Sequence, residues 1–311
     1  MVDTTPLVSI CCLSYNHAPF LKECLDGFMM QQTDFEYEVL IHDDCSTDGS
    51  DQIIKEYASK YPSRIFPLYE DENQYSKGME SVIDIAFNYN RARGKYIAYC
   101  EGDDYWTDPQ KLQKQVDFME SHPDYSVCFH RCSHLNSENG KFSRDKCGRY
   151  LKKDQVGVDI SMEMFFGPWV TQPLTMVFRR SMFTPEWQKQ YRYYRDMHEI
   201  YHLLTVGKGY LFAFNGGVYR YHQGGIHSMI SKDDYCVKSL PIDREFYEIN
   251  PSEYSKCVYL ETLSESIRSN ARMGRYNMAL KYLQEYLKVS KNLRTTTKLL
   301  LYIRKHKNAG K

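Results

Sequence analysis

The sequence predicts an α/β protein: a largely parallel sheet with helices on both faces, followed by a helical appendage. Three observations carry this expectation. Short apolar runs alternate with helix-periodic segments over the first hundred residues. Polar, acid-rich turns follow those runs at their carboxyl ends, where open α/β sheets form their ligand crevice. Beyond roughly residue 235 the strand-like runs cease and only helical periodicity remains.

The first run, Leu7 to Leu13, reads as a buried strand and ends in the turn residues Ser14, Tyr15, Asn16 and His17. Leu21, Cys24, Leu25, Phe28 and Met29 then recur at helical spacing. Glu38 to His42 is a second strand, closed by Asp43-Asp44-Cys45-Ser46-Thr47-Asp48-Gly49. Ser46, Thr47 or Asp48 is expected to cap the next helix, which carries Ile53, Ile54, Tyr57 and Ala58 and stops at Pro62. Ile65 to Tyr69 is a third strand. Val82, Ile85, Ala86 and Tyr89 mark a third helix, which Gly94 is expected to close. Lys95 to Cys100 is a fourth strand and runs into Glu101-Gly102-Asp103-Asp104. Thr107-Asp108-Pro109 opens a helix, and Ser126 to His130 resumes as strand. Residues 140–158 are polar enough to form a mobile loop. Thr175 to Phe178 is strand-like, and Tyr210 to Phe214 and Val218 to Tyr221 read as two closing strands. A helical hairpin is expected after that, broken at Gly274. The chain therefore divides into a domain at 1–235 and a helical hairpin with a basic tail at 236–311.

Global composition narrows the partners. Lys plus Arg equals Asp plus Glu, 40 each, so net charge predicts no nucleic-acid partner. Met1 to Pro6 lacks the basic and apolar regions of a signal peptide, and the cysteines sit in apolar runs, so reduced thiols in a cytoplasmic protein are expected. No apolar stretch approaches the ~20 residues that cross a bilayer. After Glu285 the chain carries no acid but has Lys288, Lys291, Arg294, Lys298, Arg304, Lys305, Lys307 and Lys311, with leucines among them. This pattern reads either as an interfacial helix on the inner face of an anionic membrane or as a solvated basic tail.

Three carboxylates within four residues at a strand end repel one another and raise one another's pKa. A hard divalent cation, Mg2+ or Mn2+, relieves that repulsion, and such ions are commonly shared with substrate phosphates. With Ser14-Tyr15-Asn16 and Asp43-Asp44 at neighbouring strand ends, the constellation points to a nucleotide-phosphate site.

Taken in order, these motifs resemble glycosyltransferase family 2, inverting transferases of the GT-A fold, over residues 7–228. The resemblance also rests on Arg195-Asp196 and on Tyr219-Arg220-Tyr221-His222-Gln223-Gly224-Gly225. It implies that Ser14 and Tyr15 contact the nucleotide, with Tyr15 packing on the base. Asp44 would accept a hydrogen bond from a base nitrogen, which suits uracil or thymine. Asp103 would face the ribose and the metal, and Asp104 would ligate the metal. Arg220 would hold the diphosphate, and His222 would complete the metal shell. Asp196 is the implied base, with Glu199 as its competitor. Glu101 stands where the family more often has Asp. Acceptor contacts would come from residues 140–195, with Trp169 stacking on a sugar and Thr175 lining the entrance. The implied reaction moves a hexosyl or hexosaminyl group from a UDP-sugar to a saccharide or lipid-linked saccharide, as in polysaccharide biosynthesis. Two alternatives are a sugar nucleotidylyltransferase and a non-catalytic sugar-nucleotide-binding protein. The turn Ser14 to Pro19 has no glycine, lysine or arginine, which weighs against the first.

Overall fold

The apolar run after Pro6 forms β1 (Val8–Ser14), whose residues are buried except for Leu13. Pro19 fixes the first turn of α1 (Ala18–Met29), which buries Leu21, Cys24, Leu25 and Phe28 against the sheet. β2 (Tyr37–Asp43), α2 (Ser50–Lys60) and β3 (Ile65–Tyr69) follow, then the short α3 (Ile83–Phe87) and β4 (Tyr96–Tyr99). In this computed structural model residues 5–79, 83–225 and 231–309 are described. The chain forms two compact units, one of Met1–Lys189 with Tyr194–His222 and one of Gln190–Tyr193 with Gln223–Lys311.

In the first unit β3, β2, β1 and β4 lie side by side in parallel register. After β5 (Tyr105–Trp106) and α4 (Lys111–Ser121) come β6 (Tyr125–Asn136), β7 (Lys141–Arg144) and β8 (Gly157–Asp159). The unit continues through α5 (Met162–Phe165), β9 (Val177–Arg179), α6 (Asp196–Val206) and β10 (Lys208–Tyr221). β9 runs antiparallel to both β4 and β6 and joins the parallel half to the β6–β10 pair, which is itself parallel. The core lies between the sheet and α1, α2 and α4. It contains Ile10, Leu25, Phe28, Ile41, Ile54, Tyr96, Trp106 and Leu112.

The α/β fold with helices on both faces is as the sequence predicts; several elements differ. Gly94 does not close a helix. Its hydrogen takes the place of a side chain beside β1, because a Cβ there would stand 2.5 Å from the Ser9 nitrogen. None of Ser46, Thr47 and Asp48 is the N-cap of α2. Left-handed Gly49 occupies that position, and Asp48 instead accepts from the Ser50 amide and the Ala18 amide. α4 starts two residues beyond Pro109. The polar segment 140–158 is not a loop throughout, since β7 pairs with β6 and β8 pairs with β10. The two closing strands are one, β10, with register shifts around Asn215 that absorb its polar Asn-Gly-Gly stretch.

The second unit holds four helices rather than a hairpin: α7 (Lys232–Ile249), α8 (Glu253–Arg272), α9 (Tyr276–Ser290) and α10 (Leu293–Ala309). Leu240, Leu263, Ile267, Leu283, Leu299 and Ile303 meet in their common core. Gly274, with φ of 74°, makes the turn between α8 and α9, where the sequence places the break. Among the described residues no helix is long and apolar enough to cross a membrane.

Candidate functional site

The carboxyl ends of β1, β2 and β4 bring together the three polar turns. Their backbones are tied to one another: the Asp44 amide donates to the Ser14 carbonyl at 2.9 Å and the Gly102 amide to the Leu13 carbonyl at 2.8 Å. Gly102 permits this approach, since a Cβ there would lie 2.9 Å from His17 Nδ1 and 3.2 Å from the Leu13 oxygen. Asn16 sits in the left-handed region at φ 54° and accepts from the Thr47 amide at 2.8 Å. The Asn16 amide donates to Ser46 Oγ. Tyr15 projects from this frame half-exposed, whereas Ser14 is buried.

The two acids at the end of β2 have separate tasks. Asp43 is buried and accepts from the Ser46 hydroxyl at 2.7 Å and the Ser46 amide at 3.2 Å. Burial pushes its carboxyl up, and the Ser46 bonds oppose that rise. Asp44, also buried, accepts from Asn73 Nδ2 at 2.9 Å, the Gln74 amide at 2.6 Å and the Tyr75 amide at 3.0 Å. Its carboxylate thus holds the segment after β3 through three N–H bonds.

Beyond β4, one carboxylate oxygen from each of Glu101, Asp103 and Asp104 lies within 4.8 Å of the others. Burial first, and the Asp103 charge next, push Glu101 and Asp104 well above the usual carboxylate range. Burial alone would raise Asp103 as well, yet it is held below its ordinary value. His222 Nε2 contacts Asp103 Oδ2 at 3.0 Å, and His17 adds to the effect. Among the described residues the second oxygen of Asp103, Oδ1, is buried with no hydrogen-bond partner. A clustered set of hard oxygen donors that includes one orphaned oxygen fits a divalent cation. The Arg220 amide donates to Asp104 Oδ1 at 2.8 Å, so the end of β10 orients this acid through its backbone. The Arg220 guanidinium is buried, pairs with Glu23 of α1, and stacks on Tyr105 at 4.5 Å. His222 packs on Phe20 at 4.6 Å.

Asp196 opens α6 and is exposed, at the end of a helix whose partial positive charge favours an acid. Its charge adds to the raised carboxyls of Glu101, Asp84 and Glu199, so it lies in the neighbourhood of that carboxylate group. Glu199 is buried beside the Tyr89 hydroxyl, at 3.2 and 3.4 Å, and burial pushes its carboxyl well up. Of the acceptor residues expected from the sequence, Trp169 is half-buried. Thr175 is fully buried, and its hydroxyl donates to the Gln172 carbonyl at 2.7 Å, leaving it no surface to offer an acceptor.

Several participants escape the sequence reading. Tyr99 donates to Glu101 Oε1 at 3.3 Å. Asp84 has its carboxyl pushed up to about 7, chiefly by burial, with the Tyr99 hydroxyl opposing and Asp196 adding. The one signal for Asp84 is an acid set between two isoleucines, Ile83 and Ile85. Glu23 and Asn73 have no such signal. A surface depression of about 650 Å³ lined by Pro6, Leu7, Arg93, Lys95 and Arg180 lies at the opposite ends of the strands. Its cations are already engaged, Arg93 with Glu38 and Lys95 with Glu120, and nothing there converges on a reacting centre.

With this geometry established, comparison with known proteins is direct. The Glycosyl transferase family 2 profile matches residues 9–205, and the chain belongs to that family. An uncharacterised protein of Mycobacterium tuberculosis is 43% identical over 140 residues, 44% of this chain and 38% of its own length. The putative teichuronic acid biosynthesis glycosyltransferase TuaG of Bacillus subtilis is 36% identical over 121 residues, 38% of this chain and 44% of its own. The matches thus span less than half the length of these relatives. Among solved structures, TarS of S. aureus in complex with UDP-GlcNAc superposes with a TM-score of 0.63 at 15% identity, covering 96% of this chain and 88% of that one. The mannosyltransferase PcManGT of Pyrobaculum calidifontis, in complex with GDP-Man and Mn2+, gives 0.55 at 14% identity, over 97% and 86%. These likenesses show the shared GT-A fold.

Proposed function

We propose that this protein is an inverting glycosyltransferase that moves a sugar from a nucleoside-diphosphate sugar, a UDP-sugar by default, to a hydroxyl of a saccharide or lipid-linked acceptor. The observation that carries this reading is the convergence of Glu101, Asp103 and Asp104, with one Asp103 oxygen orphaned, at the strand ends that also bear Tyr15 and Asp44. Mn2+ or Mg2+ held by Asp103 and Asp104, with Glu101 or His222 beside them, would supply Lewis-acid neutralisation of the departing diphosphate. Tyr15, half-exposed above the frame, packs on the base, and Asp44 and Ser14 shape the wall beneath it.

Asp196 takes the proton from the acceptor hydroxyl as that oxygen attacks the anomeric carbon. The carbon–oxygen bond to the diphosphate breaks on the opposite face, so the nucleotide leaves and the configuration inverts. Asp196 is preferred over Glu199 because Asp196 is exposed whereas Glu199 is buried against Tyr89. Arg220, tied to Glu23, is poised to exchange that partner for the diphosphate. The alternatives, nucleotidyl transfer or sugar-nucleotide binding without turnover, lack an account of an exposed acid near the carboxylate group.

We place the reaction in the cytoplasm, with α10 resting on an anionic membrane face. Leu293 and Leu301 are exposed on that helix among Arg294, Lys298, Arg304 and Lys305. The activity is tested by following nucleotide release from UDP-, GDP- and dTDP-sugars with Mn2+ and a glycan acceptor. The Asp196→Asn variant should lose transfer by about a hundredfold or more while its melting temperature still rises with UDP and Mn2+. Transfer at full rate in that variant would remove Asp196 from the role of base.

A further inference from the structure

β7 is an edge strand with all four residues exposed, Lys141, Phe142, Ser143 and Arg144. The turn that follows adds Lys146, Arg149, Lys152 and Lys153, all exposed. Thirteen residues thus carry six cations, in a chain whose charges balance overall at 40 against 40. The single acid among them, Asp145, is consumed by Arg131 at 3.1 Å and by the Cys132 and Cys147 amides; Asp154 follows at the border. Among the described residues none of the six cations has an ion-pair partner. Elsewhere in the same unit surface cations are commonly paired, as in Lys55–Asp51, Lys95–Glu120, Lys114–Asp108 and Lys208–Asp124. A merely solvated surface would be expected to follow that pattern.

The position of the patch gives it meaning. β7 pairs with β6, and β6 pairs with the end of β10, in a register that aligns Lys141 with Asn136 and Tyr221, and Ser143 with His134 and Tyr219. Two strand spacings therefore separate β7 from β10, about 10 Å, and the β10 residue Arg220 hydrogen-bonds Asp104. Between them, on one face, stand the rings of Tyr219, Tyr221 and His134, with centroids 5.1 to 5.7 Å apart. Among the described residues His134 Nε2 is buried and unpartnered. Arg220, between Tyr219 and Tyr221 on the strand, donates its amide to Asp104 Oδ1 at 2.8 Å, so this aromatic row begins at the carboxylate cluster. On the ring face the register sets Lys141 beyond Tyr221, whereas Arg144, paired with Ser133, belongs to the other face. Lys146 of the following turn acts on His134, so the rings and the unpaired cations of Lys141 and the turn lead away from the reacting centre.

We propose that this strip is the docking track for the acceptor, and that the acceptor is a polyanionic glycan bearing a carboxylate or phosphate on its repeating units. The rings take the sugar faces nearest the reacting hydroxyl, and Lys141 with the cations of the turn take the anionic groups further along. That the ligand is the acceptor rests on the transferase reading; that it is a polyanionic glycan rests on the patch alone.

The test measures binding of an oligogalacturonate, a maltooligosaccharide of equal length and a single-stranded oligonucleotide to the full chain by calorimetry at low and moderate salt. The anionic glycan should bind about tenfold or more tightly than the neutral one, and the preference should shrink as salt rises. The Lys146→Glu, Arg149→Glu, Lys152→Glu, Lys153→Glu variant should abolish that preference while UDP with Mn2+ still raises its melting temperature. A charge reversal on α10, Arg294→Glu with Lys298→Glu and Lys305→Glu, should leave the preference intact. The proposal is overturned if the β7-turn variant binds the anionic glycan as the wild type does. It is equally overturned if the α10 reversal removes the binding, or if the oligonucleotide binds as tightly as the glycan. Loss of the UDP response in every protein, with the glycan preference and its reversal intact, would sink the transferase reading and leave the polyanion site standing.

Discussion

Lys111, at the first turn of α4, is fully buried, and its ammonium stands 3.7 Å above the Trp106 ring with no hydrogen-bond partner among the described residues. Trp106 closes the floor behind the acidic turn, packing on Phe28 and donating to the Leu174 carbonyl at 2.8 Å. Burial holds the Lys111 pKa down at about 7, with the Cys100 and Cys128 thiols opposing. An ordinary lysine titrates at about 10.4, and each pH interval between the two values carries about 1.36 kcal/mol. Between these pH values the unfolded chain binds the proton and the fold does not, so this group's contribution rises with pH. It is complete above the unfolded value and lost as pH falls through about 7, a span of about 4 to 5 kcal/mol. Lys111→Met keeps the stem and removes the titration. The cation–π contact to Trp106 exists only in the charged form, so it vanishes with the proton and leaves no residual advantage to wild type at high pH. At pH 7 the variant should therefore be more stable than wild type by up to about 4 kcal/mol. That advantage should shrink toward zero as pH approaches 10. Urea denaturation of both proteins across that range is the assay. The difference between them is the readout, because buried thiols such as Cys128, pushed up to about 12, lose stability as pH rises in both. A difference that stays constant with pH would show that Lys111 is charged throughout, and the reasoning from its burial would be wrong.

Glu199→Gln should separate the buried acid from the exposed one. Burial raises the Glu199 carboxyl, so its stabilising contribution is full below about pH 4 and is lost as pH rises through the folded value. Melting curves should show Glu199→Gln gaining on wild type as pH rises, with sugar transfer retained; loss of transfer equal to that of Asp196→Asn would make Glu199 the base. Asp44→Asn places an amide among the three N–H groups of Asn73, Gln74 and Tyr75 and should cost about 2 to 3 kcal/mol. Hydrogen exchange at the Gln74 and Tyr75 amides, without nucleotide, should accelerate; unchanged protection would mean that Asp44 does not organise that segment.

The parts of the fold legible in the sequence are those fixed by local pattern. β1, β2 and β4 are apolar runs flanked by turn residues, and the acids that follow them stand at one edge because parallel strands align their carboxyl ends. What escaped is governed by distant pairing. β7 is made of Lys141, Phe142, Ser143 and Arg144, which have no strand signature, and it exists because β6 offers an open edge. β10 looks like two strands because Asn215-Gly216-Gly217 interrupts its apolar pattern, yet β6 supplies a partner across the irregularity. At the site, Asp44 is visible as an acid, but its partners lie twenty-nine to thirty-one residues away in a segment with no periodicity. The pairing of Arg220 with Glu23 spans almost two hundred residues and is likewise beyond reach of local pattern. The mutual placement of Glu101 and Asp196 depends on α6 returning to the sheet, and only the folded chain shows it.

The central claim is that the carboxylate cluster binds a nucleoside diphosphate through a divalent cation. Calorimetric titration of UDP into the full chain, with Mn2+ and again with excess chelator, tests it most directly when repeated on Asp103→Asn with Asp104→Asn. The account predicts binding by wild type that requires Mn2+ and is lost in the double variant. UDP binding of equal strength in chelator, or undiminished in the double variant, would contradict it.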